Sequence, residues 1–532
     1  MGTSYKAALF VLLGGVAIAL LGCNNGTHVV APIGGTPMAT PSAAASPSPG
    51  TSATPSPTRT ATPNASPTAM PTASPTAMPT ATRTASPSPT PTGTVATAGW
   101  PLFGHDSAHS GVSSEMTVGS LPFTMTKLWQ VSLGGVADAA PVVWNNMLYI
   151  TRNDGTTLGI STSNGATVWT FTTSGPNIQT GGPAYDVSAN MLYAPGVDGK
   201  VHRLHPTTGV EDTTGGFPVT VLLATQTEKI GSPLNLAGGF VYAQTSAHFG
   251  DASPSVGHVV AINTATGQRH VFNTLCASQT TVIQPSTCSQ QLSGMWSRAG
   301  VVVDPDASMN GQLYVTTGNG DYNPSAGDYG DSILALPKDA SSLVSHYTPP
   351  NFAALANGDI DLGSTSPALI PRLTGTTTPL LAVQGGKDAI LRLLDRTNLG
   401  AAPLQSVSLP EQAEMVSAPA VYRTSSGQTF VYVGMPNNVF AYQVTVSNGT
   451  PQLSLAWTAG IAQGNGTSPI VRAGVVYVAA TNQLVALDAT TGATVGSSNA
   501  LGSVHWQSPI VAQGVVYCSD TSGKLTAFSV SP

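Results

Sequence analysis

Ser468-Pro469-Ile470-Val471, then Val475-Val476-Tyr477-Val478, then Leu484-Val485-Ala486-Leu487-Asp488 closed by Thr491-Gly492, is the pattern on which the whole chain is built. Pro has no amide hydrogen to give to a ladder, so it stands at the start of a strand, and the small residue before it suits strands crowded around an axis. The apolar-Tyr run is a second strand. The alternating Leu-Val-Ala-Leu run is a third, ending in a turn where Gly supplies positive φ.

The same pattern recurs outward in both directions. Its openings are Ala140-Pro141, Gly182-Pro183, Ser232-Pro233, Ser366-Pro367, Ala418-Pro419 and Ser508-Pro509. The second strands are Leu148-Tyr149, Leu192-Tyr193, Val241-Tyr242, Val431-Tyr432 and Val516-Tyr517, and Trp169 and Trp457 mark fourth, outer strands. The prolines stand 40 to 52 residues apart except for a gap of 134 after Pro233. That gap holds one further copy without the Pro, with strands at Leu313-Tyr314-Val315 and Ile333-Leu334-Ala335-Leu336. Four strands per repeat at this period predict an all-β, eight-bladed propeller of four-stranded antiparallel blades. The last copy ends without an outer Trp strand, whereas Lys127-Leu128-Trp129-Gln130-Val131 precedes the first copy with no blade of its own. The N-terminal strand is therefore expected to close the ring.

The front of the chain reads differently. Lys6 precedes an apolar run from Ala7 to Leu21 that is too short to remain as a span, and it ends Leu20-Leu21-Gly22-Cys23. This resembles the lipobox of bacterial lipoproteins, which makes 1–22 a signal peptide, Cys23 the lipidated first residue, and the bacterial cell envelope, outside the cytoplasm, the expected location. Residues 23–98 are dominated by Pro, Ser, Thr and Ala. Such a composition cannot bury a core, so a disordered, semi-rigid stalk of at most roughly 180 Å is expected at about 3 Å per residue. Residues 99–532 remain for the propeller.

Composition removes several functions. Charged residues are only 8% of the chain and the net charge is −6, with no basic stripe, which argues against nucleic acid. There is no Cys-x-x-Cys-His for haem. Of four cysteines, Cys276 and Cys288 lie close in one loop and are expected to form a disulfide in an exported protein, and Cys518 to be a buried free thiol.

The repeat resembles that of pyrroloquinoline quinone (PQQ) propellers, the quinoprotein alcohol dehydrogenase-like superfamily, whose relatives include an outer-membrane assembly lipoprotein. Trp100-Pro101-Leu102-Phe103-Gly104-His105-Asp106 looks like the lead-in of several members. The resemblance sharpens between Thr245 and Gly400. There Trp296, in Gly294-Met295-Trp296-Ser297, is similar to the family's floor beneath the quinone ring, and Asn319, in Thr317-Gly318-Asn319, to a calcium ligand. Asp361 is similar to the catalytic Asp, with Asp359 as second choice, and Lys387 to the basic residue that reaches the quinone. Alcohol oxidation by a quinone needs a carboxylate to take the hydroxyl proton, a hard cation to polarise the quinone carbonyl and an aromatic face for stacking.

One position departs from the family. His248 stands where the resemblance places a second calcium ligand, a Glu, and imidazole suits calcium poorly, while Asp251 offers a carboxylate three residues on. Two functions are compatible with these residues: a surface-anchored module that presents loops to protein or carbohydrate, or a PQQ- and calcium-dependent oxidoreductase acting on an alcohol or sugar. The fold hosts both.

Overall fold

A computed structural model describes residues 99–113, 115, 121–176, 178–249, 251–462 and 466–530. The expected signal peptide, the expected lipidation site at Cys23 and the expected stalk lie outside the described residues. Among the described residues no helix is long and apolar enough to cross a membrane.

Eight antiparallel blades, each of four strands and blade three with a short extra one, Glu228–Ile230, form the propeller. Blade seven shows the plan: Ile470–Arg472 innermost, then Val475–Ala480, Gln483–Asp488 and Thr494–Ser498 outermost. Six of the seven prolines of the repeat sit immediately before an inner strand, as at Pro141 before Val142–Trp144 and Pro509 before Ile510–Ala512, and Pro233 stands one residue farther from Asn235–Ala237. Blade eight is completed by Thr126–Ser132, which pairs antiparallel with Lys524–Ser529 and sets Trp129 opposite Ala527. The N-terminal strand thus closes the ring, as its isolated position in the sequence implied. Blade four, the copy without Pro, has a two-residue inner strand, Val302–Val303.

The recurring Tyr and Trp now acquire a physical role. The hydroxyls of Tyr242, Tyr314 and Tyr432 donate to the carbonyls of Lys338, Arg396 and Ala489, each just past the third strand of the following blade. The indole N–H groups of Trp129, Trp169 and Trp457 do the same to Thr162, Pro206 and Ala489. The two rings pack together, with centroids 5.8 Å apart for Tyr432 and Trp457 and 5.9 Å for Tyr149 and Trp169. Beneath each indole lies the Gly of the neighbour's turn. A Cβ on Gly209 would come within 2.4 Å of the Trp169 ring, and φ there is +69°, so the Thr-Gly signature is where one blade admits the aromatic of another. Burying an aromatic ring removes about 150–250 Å² from water, a few kcal/mol per ring at roughly 25 cal/mol per Å².

Around the axis, serines that precede the prolines, with Ser297 of the copy without Pro, bond from one inner strand to the next. Ser297 Oγ lies 2.6 Å from Ser366 Oγ, Ser232 Oγ donates to the Ser297 carbonyl, and Ser468 Oγ accepts from the Ala418 amide. Buried polar groups need such partners, and here they tie one inner strand to another. The lead-in segment crosses the channel farther from the hairpins that join second and third strands. Trp100 exchanges both backbone bonds with Val143, the Ser107 carbonyl accepts from Val303, and the Gly111 carbonyl accepts from Val471. The channel is therefore stoppered toward one end and open at the other.

Candidate functional site

The open end holds a cavity of about 310 Å³, at the small end of the roughly 300–1,000 Å³ usual for small-molecule sites. Its walls include Trp296, Asn319, Asp359, Asp361, Lys387, Asp251 and His248. The residues expected to carry chemistry, scattered over blades three to five in sequence, line one space.

Local backbone explains how they arrive. Asn319 follows the second strand of blade four, Leu313–Thr316, and Asp361 directly precedes the short 3-10 turn Leu362–Ser364 that leads into blade five. Gly318 lets them meet, because a Cβ there would fall 2.3 Å from Asp361 Oδ1. The Asn319 amide donates to that oxygen at 3.0 Å, and its Nδ2 donates to Asp359 Oδ1 at 2.9 Å. Lys387, in the hairpin between Leu381–Gln384 and Ile390–Asp395, brings Nζ to 2.5 Å from Asp361 Oδ2 and 3.3 Å from Asp359 Oδ1. The same ammonium lies 5.3 Å from the Trp296 ring centre.

The two aspartates are not equivalent. The Asp361 side chain is 8% exposed and the Asp359 side chain 74% exposed, so the first is the sequestered carboxylate and the second belongs to the rim. Burial pulls the Lys387 ammonium down, but the Asp361 charge and hydrogen bond, with Asp359, outweigh it and hold the group above the ordinary lysine value. Burial pushes the Asp251 carboxyl up, and the charges of Asp361 and Asp359 push it further. These shifts mark a concentration of negative charge that a single ammonium does not neutralise.

A hard cation fits the donor set. Asn319 Oδ1 is buried and accepts no hydrogen bond, and the oxygens of Asp359 and Asp361 gather on the same residue. The carboxylates are not drawn together, however. Among the described residues the cluster whose ligand atoms approach most closely is Cys276, Cys288 and Asp328, and there the two sulfurs are joined in the expected disulfide. His248 turns elsewhere: its Nε2 lies 3.0 Å from the Glu228 carbonyl, and its charged neighbours are Lys229 and Glu228. Cys518 is a buried free thiol, with its titration pushed up by burial.

The far wall was not legible in the sequence. Trp506, from the approach to blade eight, meets Trp296 edge-on at 6.1 Å. Arg298 lies under Trp506, with its guanidinium carbon 5.2 Å from the ring centre, and its Nη2 reaches across the channel to the carbonyls of Asp138 and Trp506. Lys229 stands against Phe249 at 3.9 Å. Two signals were there to find: Lys229 directly before Ile230-Gly231-Ser232-Pro233, and Arg298 two residues after Trp296, both in a chain unusually poor in charge.

Comparison with known proteins places this site in context. The family model described as outer membrane protein assembly factor BamB matches residues 122–287 and 393–531. Trp296, Arg298, Asn319, Asp359, Asp361 and Lys387 all fall between the two matched segments. No curated protein sequence matches the chain significantly. Among solved structures, the quinohemoprotein alcohol dehydrogenase from Comamonas testosteroni is 17% identical, with 81% of this chain and 80% of that one covered and a TM-score of 0.57. A europium-containing methanol dehydrogenase is 15% identical, with 81% and 98% covered and a TM-score of 0.59. BamB from Moraxella catarrhalis is 14% identical, with 76% and 99% covered and a TM-score of 0.50. At these identities the likeness is one of fold.

Proposed function

The chain belongs to the family described as outer membrane protein assembly factor BamB, and from that premise we propose that it uses the family's ring to carry a quinone-dependent oxidoreductase site acting on an alcohol or sugar. The observation that carries this reading is the convergence of Trp296, Asn319, Asp361 and Lys387 on one cavity at the open end of the channel.

Asn319 Oδ1 and Asp359, with Asp251 beside them, would hold calcium, and Trp296 would underlie PQQ; together these groups supply a Lewis acid and a two-electron oxidant when bound. The chain's own residues account for the rest. Asp361 is the sequestered carboxylate that receives the substrate hydroxyl proton, a role that contributes about 10²–10⁴ in rate. Lys387 fixes that carboxylate through its 2.5 Å ion pair and keeps its own charge at neutral pH.

Calorimetric titration with PQQ at millimolar calcium, followed by dye-linked oxidation of an alcohol panel, tests the reading. Binding that depends on calcium and turnover that falls about 10²–10⁴-fold in Asp361→Asn are expected. Absence of PQQ binding overturns it. The family match over the remaining blades favours a second reading, a module that presents loops to a protein or carbohydrate, and the same titration separates the two.

The proposal includes a location. Leu20-Leu21-Gly22-Cys23 supports lipidation of Cys23 and anchoring at the cell envelope. Cys23→Ser should move the protein from the membrane fraction to the soluble one; unchanged fractionation would remove the anchor from the account.

A further inference from the structure

The cavity is electrically divided. Asp251, Asp359 and Asp361 occupy one side, and Lys229 and Arg298 occupy another. Both cations are buried, at 7% and 2% exposed, and neither meets a carboxylate in a hydrogen-bonded ion pair among the described residues. Among the described residues Lys229 Nζ has only the face of Phe249. Arg298 donates to two backbone carbonyls, and its Nε is buried with no partner. Asp138 lends both cations its charge but pairs directly with neither, because its Oδ1 accepts from Gln507 and its Oδ2 from Asn153. Buried cations without a directly paired carboxylate are costly, and a ligand that brings one relieves the cost.

We propose that Lys229 and Arg298 form an anion-binding subsite that takes a carboxylate of the ligand, so that the cavity selects flat aromatic polycarboxylic acids and sets their orientation. Phe249 and Trp506, which already lie against the two cations, supply the adjoining aromatic faces. The aspartate side repels the same carboxylate, so charge alone gives the ligand one direction of entry. This deepens the quinone reading and rests on it only for the identity of the ring.

Full-length protein is titrated calorimetrically with PQQ, with its trimethyl ester, and with trimesate, an aromatic tricarboxylate without quinone chemistry. The two acids should bind. Lys229→Met and Arg298→Gln should each weaken them about 10–100-fold. The ester should bind PQQ's site at least about tenfold more weakly than the acid and be indifferent to Lys229→Met.

The unaltered protein offers an independent check. Burial pushes Lys229 down to about 8, with Arg298 adding to the shift and Asp138 opposing it; Glu228 and His248 are its remaining titratable neighbours. Acid affinity should therefore fall as pH rises from about 7 to about 10, by up to roughly tenfold per unit above the free group's pKa. Equal binding of acid and ester, affinity unmoved by Lys229→Met, or failure of both acids to bind would overturn the subsite. Trimesate binding that depends on Lys229 in a protein that ignores PQQ would sustain the subsite and sink the quinone reading.

Discussion

Blade seven joins its second and third strands with Thr481 and Asn482 alone, whereas blade four spends everything from Thr317 to Ser332 on the same connection, including a small hairpin of Tyr322–Asn323 with Asp328–Tyr329. The acidic side chains of blade seven and its neighbour are consumed by their own turns: Asp488 accepts from Thr490 and Thr491, and Asp520 from Ser522. Those of the elaborated arc face a shared space. The contrast teaches that regular repetition builds the ring and that departures from it build the site. Ring stability should therefore reside in the Tyr, Trp and Gly contacts between blades, and ligand chemistry in the long loops of blades three to five.

The largest expected effect breaks the regular arc. Trp169→Ala removes an indole that is buried on Tyr149 and bonded to Pro206, and should cost about 3–5 kcal/mol in chemical denaturation. Affinity for an aromatic acid, measured well below the new melting point, should stay unchanged. A loss of affinity matching the loss of stability would mean that the two regions are not separable.

A smaller effect of opposite sign sharpens the same comparison from the other side. The native pKa of Lys229, about 8, lies below the unfolded value of about 10.4, so the native state binds its proton less well and pays for it at neutral pH. That penalty is full below about pH 8 and disappears as pH rises toward about 10.4. Lys229→Met should accordingly raise stability by about 1–3 kcal/mol at pH 7, with the difference shrinking by about pH 10. Melting curves of the two proteins at both pH values measure it. A variant less stable at pH 7 would mean that the ammonium has a partner supporting the fold.

The same division explains what could be read from the chain. The blade number, the strand order and the closing role of Trp129 were legible because each repeat states its own pairing within a few residues, and an unmatched strand at one end answers a missing one at the other. Trp296, Asn319, Asp361 and Lys387 were legible through short motifs that the resemblance could carry. Lys229, Arg298 and Trp506 were not, since they come from the approaches to blades three, four and eight and meet only when the ring is closed; no spacing in the sequence encodes a contact across a channel. The stopper made by Trp100 to Ser113 escaped for the same reason. Its bonds go to inner strands from Val143 to Val471, far apart along the chain.

The pairing of Thr126–Ser132 with Lys524–Ser529 also has a consequence in time. A polypeptide made from its amino end carries Thr126–Ser132 unmatched through the making of every intervening blade, until Lys524–Ser529 has emerged. Such a distant junction is slow to find and offers an open edge to other chains while it waits. The molecule is thus most exposed to misassembly as a newborn, and a ribosome that stops before Lys524 leaves two sticky edges, Thr126–Ser132 and Val515–Ser519, in place of one seam.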